Sequence, residues 1–151
     1  MCKLRDATVE DWEAISNMLM DMQDESPFYS QFESDGAYFV NTMEFIKAGE
    51  HFAKVITVNE KVVGVMLGIC NTIPFVQALC ATELVIYVNP EHRGGRAAYQ
   101  LIRAFEEFAI EAGAVIIFVG VSAEIEPEKV GNMYMRLDYS LKGTNYMKRL
   151  N

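Results

Sequence analysis

One stretch limits the possible folds more than any other. Val85-Ile86-Tyr87-Val88-Asn89-Pro90-Glu91-His92-Arg93-Gly94-Gly95-Arg96-Ala97-Ala98-Tyr99-Gln100-Leu101-Ile102 spells strand, short basic turn, helix. Val85 to Val88 are β-branched or aromatic, and Asn89-Pro90 closes the run. From Ala98 onward, Leu101, Ile102, Phe105, Phe108, Ala109 and Ala112 fall at the three-and-four spacing of an amphipathic helix. Gln100, Arg103, Glu106, Glu107 and Glu111 take the opposite face. A helix start carries backbone N–H groups with no intrahelical partner and a partial positive charge. Glycines let an anion come close to that backbone, and arginines add forked donors. The local chemistry is that of a phosphate-binding turn.

The flanking chain predicts what surrounds this unit. Lys3 to Ala7 is a short opening strand, and Thr8 is the N-cap of a helix over 9–23 with the stripe Trp12, Ile15, Leu19, Met22. Pro27 ends that helix in a segment, 24–34, that also carries Phe28, Tyr29 and Phe32. Two readings stand for these aromatics: the rim of a substrate mouth, or packing beneath a loop. A second helix over 35–48 offers Tyr38, Phe39, Met43 and Ile46 for burial. Phe52–Val58 and Val62–Thr72 form a hairpin, and Ile73-Pro74-Phe75 breaks the chain before a strand at Leu79–Val88.

After Gly113, a helix stop, Ala114–Val121 is so apolar that it reads as a strand covered on both faces. Pro127 opens a short helix to 136. Tyr139–Leu141 and Asn145–Leu150 complete the chain as terminal strands around Lys142-Gly143-Thr144. Strand, helix, strand from 79 to 121 implies a parallel crossover in an otherwise antiparallel sheet, so the fold class is mixed α/β. At 151 residues the chain is one domain, 1–151, large enough to bury roughly 70% of its unfolded surface without disulfide or metal.

Composition removes several function classes. The net charge of −8 argues against a nucleic-acid binder that uses a broad basic surface. It suits a cationic substrate, and equally suits simple solubility. No apolar run approaches the ~20 residues of a membrane span, and the N-terminus lacks the order of a signal peptide. Cys2, Cys70 and Cys80 are scattered, as free thiols of a reducing cytoplasmic compartment are. His51 and His92, the two histidines, lie far apart in sequence, so no metal site is expected. A Walker loop needs Gly-Lys-Ser/Thr, and here Arg96-Ala97 follows Gly95. A Rossmann turn needs G-x-G-x-x-G near the first strand, and that spacing is absent.

The run Val88-x-Pro90-Glu91-x-Arg93-Gly94-Gly95-Arg96-Ala97-Ala98 resembles the acyl-CoA pyrophosphate signature of the GNAT superfamily of N-acyltransferases, V-x-P-x-x-R-x-x-G-x-G/A. Leu4 to Asp11 is similar to that family's opening strand and first helix start. Asn132-Met133-Tyr134-Met135-Arg136-Leu137-Asp138-Tyr139 is similar to its late Y-x-x-L-G-F segment. Together the three matches span nearly the whole chain. Arg96 and Asp138 replace motif glycines.

The resemblance implies a GNAT-like sheet: mostly antiparallel, with a central parallel pair splayed around the acyl-CoA site and helices on both faces. It implies direct acetyl transfer from acetyl-CoA, as cosubstrate, to the amine of a small molecule or protein. Ile86, Tyr87 and Val88 would pair with the pantetheine arm, and Arg93, Gly94, Gly95, Arg96, Ala97 and Ala98 would hold the pyrophosphate. Glu83, placed as many family members place an acid, is either the base that deprotonates the amine or a strand-end residue facing solvent. Tyr134, at the family's tyrosine position, is either the acid that protonates the leaving sulfur or a core tyrosine. Ser122 and Glu124 either touch CoA or substrate or are solvated loop residues, and His92 either contacts phosphate or packs. Dimerisation is common in the family. A non-catalytic acyl-CoA-binding or protein-interaction module on the same fold is the alternative, and the acceptor is not named by any motif.

Overall fold

The computed structural model describes residues 1–121 and 123–150, without the side chains of Tyr38 and Phe39. Those two side chains, two of the four predicted for burial on the second helix, therefore lie outside the described residues, as does Ser122.

The opening strand β1 is Cys2–Asp6, antiparallel to β2, Phe52–Val58. Between them a single 3-10 turn, Val9–Asp11, leads into helix α1, Trp12–Glu25. The Asp11 carboxylate fixes this entry. It accepts the Thr8 N–H at 2.8 Å and pairs with both Arg5 guanidinium nitrogens at 2.7 and 2.8 Å. The predicted helix thus starts three residues late, because Thr8 to Asp11 close a tight turn first. α1 buries Ile15 and Met18, with Leu19 and Met22 beside them, while Trp12 stays half-buried.

Helix α2 is Ala37–Ala48, ended by Gly49 at φ +70°. β2 turns through Asn59 and Glu60, both at positive φ, into β3, Lys61–Ile73. β3 pairs antiparallel with β4, Ala78–Val88. Helix α3, Ala97–Glu111, then returns across the sheet to β5, Ile116–Phe118, parallel to β4. Helix α4 is Pro127–Arg136, with Pro127 at its first turn as expected.

The sheet order is β1-β2-β3-β4-β5. Two apolar layers flank it. On one face α1 and α2 pack on Val55, Val65, Leu67, Val85 and Tyr87. On the other α3 and α4 pack on Phe52, Ile56, Met66, Ala81 and Val88, with Phe105 at the centre. α3 sits close because Gly68 carries no side chain: a Cβ there would lie 2.5 Å from the Phe105 ring.

Two expectations are corrected. Ala114–Val121 is not a strand covered on both faces: only Ile116–Phe118 is strand, pairing with Cys80–Thr82, and Ile116 and Phe118 are exposed. The predicted terminal strands are also absent. Residues 139–150 take no regular structure, and Leu141, Tyr146 and Leu150 are exposed. The parallel pair ends the sheet among the described residues instead of occupying its middle.

Candidate functional site

β4 carries the site because its register slips. Leu67 of β3 faces Val85, but Gly68 faces Glu83, so Leu84 is an extra residue in β4. Strand side chains alternate faces, and the extra residue resets the alternation. Ala81, Ile86 and Val88 therefore share the α3/α4 face, with Val85 and Tyr87 on the other. β5 pairs with β4 only at Cys80–Thr82. Beyond that point the two strands part, and a cleft of ≈ 550 Å³ opens between them.

Glu83 stands where the strands part and lines the cleft. Its Oε2 accepts the Gly120 N–H at 3.1 Å. Burial pushes the carboxyl up to about 7, against the weaker pull of that hydrogen bond. A carboxyl at that value exchanges its proton near neutrality, which is what a general base requires. The strand-end reading of Glu83 as a solvated residue does not describe this position.

Ile86, Tyr87, Val88, Arg93, Gly94, Gly95 and Ala98 also line the cleft, as does His92. Arg96 and Ala97 do not. Arg96 is exposed in the N-cap position of α3, and Ala97 is buried beneath the helix. Among the described residues, the N–H groups of Gly94, Gly95, Arg96, Ala97 and Ala98 meet no backbone acceptor; the helix ladder begins with Gln100 N–H to Arg96 O at 2.9 Å. Gly94 makes the turn at φ +80°, a conformation most side chains disfavour. Arg96, at φ −87°, needs no glycine, so its bulk is accommodated on the surface.

Arg93 is more committed than a free phosphate ligand. Its Nε donates to Val88 O at 2.7 Å and its Nη2 to Glu25 Oε2 at 2.8 Å. The Tyr87 hydroxyl donates to the same Glu25 carboxylate at 2.9 Å, and the guanidinium lies 5.1 Å from the Tyr87 ring centre. Arg93 holds the Glu25 carboxyl below its ordinary value, chiefly through their hydrogen bonds. Burial, with Glu25 nearby, moves the Tyr87 hydroxyl up to about 12. This cluster ties the end of α1 to the turn, and nothing in the spacing of Glu25 signals it.

Tyr134 is 6% exposed and is not among the cleft-lining residues, where its neighbour Met133 appears instead. Its hydroxyl has no hydrogen-bond partner among the described residues. Burial, then the nearby Glu83 charge, raises its pKa, so the proton is firmly held. The Tyr139 ring lies 5.5 Å away. Of the three loop aromatics, Tyr29 lines the cleft while Phe28 packs edge-on against it and against Phe32, at 5.1 and 5.2 Å. Arg136, from the late segment, also lines the cleft, and other lining residues carry no motif: Met22, Gln23, Leu84, Ile125, Glu126, Lys129 and Val130. Among the described residues no group of three or more His, Cys, Asp or Glu is placed to hold a metal, and no helix is long and apolar enough to cross a membrane.

The family model described as Acetyltransferase (GNAT) family matches residues 12–131. No curated protein matches the chain. Solved structures share the fold at low identity. A ribosomal-protein-alanine N-acetyltransferase from Brucella melitensis biovar Abortus 2308 is 15% identical with a TM-score of 0.75, covering 100% of both chains. A transcriptional regulator from Bacillus halodurans C-125 is 18% identical, TM-score 0.78, covering 99% of this chain and 100% of its own. AAC(6')-Iy, in complex with the bisubstrate analog CoA-S-monomethyl-acetylneamine, is 15% identical, TM-score 0.76, covering 99% of each.

Proposed function

The chain belongs to the acetyltransferase (GNAT) family, and from that premise we propose that it moves an acetyl group from acetyl-CoA directly to an amine. The observation that carries this reading is the cleft between the parting strands, with Glu83 at its apex and a turn of unanswered N–H groups on its wall. The turn fits the donor's pyrophosphate: backbone donors converge at a helix start, and Gly94 and Gly95 leave room for close approach. Arg93, paired with Glu25, lines the cleft beside these donors, and Arg96 stands at the head of the same helix. Ile86 to Val88 fit the pantetheine arm, since β4 has no β5 partner beyond Thr82.

Acetyl-CoA supplies an activated acetyl carbonyl and a thiolate leaving group. The chain's residues manage the protons. An alkylammonium has a pKa of about 10, so Glu83 takes its proton and frees the nitrogen lone pair for the carbonyl carbon. Tyr134 returns a proton to the sulfur as the C–S bond breaks. Its support is a protonated hydroxyl without a partner, close enough to Glu83 to feel its charge. A second reading, a binding module without turnover, draws on one observation: the Tyr134 hydroxyl is set back from the cleft.

The test is two-part. Acetyl-CoA at 100 times its Kd stabilises a protein that binds it by about 2.7 kcal/mol, read as a rise in Tm. Thiol release in the presence of a panel of amines then reads turnover. Stabilisation without thiol release from any amine leaves the binding module; neither response refutes both readings.

A further inference from the structure

The two walls of the cleft differ in what they leave for a ligand. The α3/α4 wall holds the donor turn, together with Ile86, Val88, Val130 and Met133. The α1/α2 wall is left for the acceptor, and its Gln23 and Tyr87 side chains are already answered. The Gln23 amide donates to Tyr29 O at 3.3 Å and Phe32 O at 3.0 Å, and its oxygen accepts from Ser34 Oγ at 3.0 Å. The Tyr87 hydroxyl is held by Glu25. The other residues that line this wall are Met22, Tyr29, Leu84, Val85 and Ile125. Leu84 is 49% exposed, projected by the bulge.

Charge narrows the choice further. Glu25 and Glu126 are paired with Arg93 and Lys129. Among the described residues that line the cleft, Glu83 is the carboxylate with no cationic partner. One ammonium is therefore provided for, and a second is not. Arg93, in the donor turn, is paired with Glu25 at the end of α1, and Arg136 belongs to α4 on the other side. Among the described residues, no unpaired cation on the acceptor wall awaits a phosphate, and no row of free donors and acceptors awaits sugar hydroxyls.

Resting on the acetyl-transfer reading, we infer that the acceptor is a primary amine with a single ammonium carried on an apolar body, aromatic by preference. The Tyr29 ring and its neighbours give an aromatic body an edge or a face to pack on. Polycations and sugar phosphates are disfavoured because each would bury charge against apolar side chains without a partner.

The test compares 2-phenylethylamine and hexylamine with spermidine and glucosamine 6-phosphate, on the full chain at saturating acetyl-CoA. The first two are expected to exceed the last two in kcat/KM by about tenfold or more, the scale at which an unmatched polar group is rejected. Leu84→Glu, at a half-exposed position that tolerates polarity, is expected to lower kcat/KM for 2-phenylethylamine about tenfold while leaving the acetyl-CoA Kd unchanged. If no amine turns over, calorimetric titration of the same four into CoA-saturated protein ranks them in the same order. Spermidine or glucosamine 6-phosphate ranking first, or a Leu84→Glu protein that keeps the wild-type kcat/KM for 2-phenylethylamine, overturns the inference. A protein that fails to bind acetyl-CoA removes the reading beneath it instead.

Discussion

The two walls of the cleft solve opposite problems. On the α3 side, a turn leaves five successive N–H groups, Gly94 to Ala98, without backbone acceptors. On the α1 side, Tyr87 and Arg93 both donate to Glu25, and Gln23 is bonded to Phe32 O and Ser34 Oγ. Unpaired donors at a helix start suit an anion. Answered groups mark a surface that selects by shape and apolar contact. Glu83 stands at the junction, and the reaction is assigned to the place where the two chemistries meet.

Substitutions at that junction and on either side can break the contrast. Glu83→Gln is expected to have the largest effect, lowering kcat by about a thousandfold while acetyl-CoA affinity by calorimetry stays within a factor of about two. The same variant has a stability signature. The folded carboxyl at about 7 lies above its ordinary 4.5, so the native state binds the proton more tightly. Stability from that group is fully present below pH 4.5 and is lost as pH rises through 7. The loss is roughly 3 kcal/mol, so the glutamine protein gains on the wild type as the pH rises, and urea titrations at acid and neutral pH measure the gap.

Tyr134→Phe comes next. A general-acid role predicts a fall in kcat of about a hundredfold, with Tm unchanged or slightly raised because the lost hydroxyl has no partner. A fully active variant would move that role to another group. Arg93→Ala is the mildest of the three, with acetyl-CoA Kd rising about tenfold, the usual scale for a charge-assisted contact. It also unties α1 from the turn, at a cost of about 1 kcal/mol for so exposed a pair. A Kd that does not move would make Arg93 a strut of the α1 side alone.

Much of this architecture was legible in the residues. β2 has the predicted ends, and α4 has the predicted start and stop. β4 and α3 differ from expectation by one residue at their starts, since alternation and helical spacing are local signals carried by many side chains. The turn was legible because phosphate chemistry calls for particular residue types at fixed spacing. Three features were not. The bulge at Leu84 depends on how β4 pairs with β3, which alternation within one strand does not encode. The Arg93–Glu25 pair joins positions far apart in sequence. The strand expected across Ala114–Val121 failed because an apolar run promises burial only if another element arrives to cover it, and residues 139–150 do not. Tyr134 shows the same limit: a motif located it on the right helix but not on which side of the cleft lining its hydroxyl would lie.

The assignment of the reaction to the junction is tested most directly by the pH dependence of kcat/KM for an amine acceptor. With ammonium as the species that binds and Glu83 as its base, log kcat/KM rises with unit slope and levels off at a pKa of about 7, the value burial imposes on Glu83. The Glu83→Gln protein lacks that break. A wild-type profile with no break near neutrality, or one whose break survives in Glu83→Gln, would contradict the account.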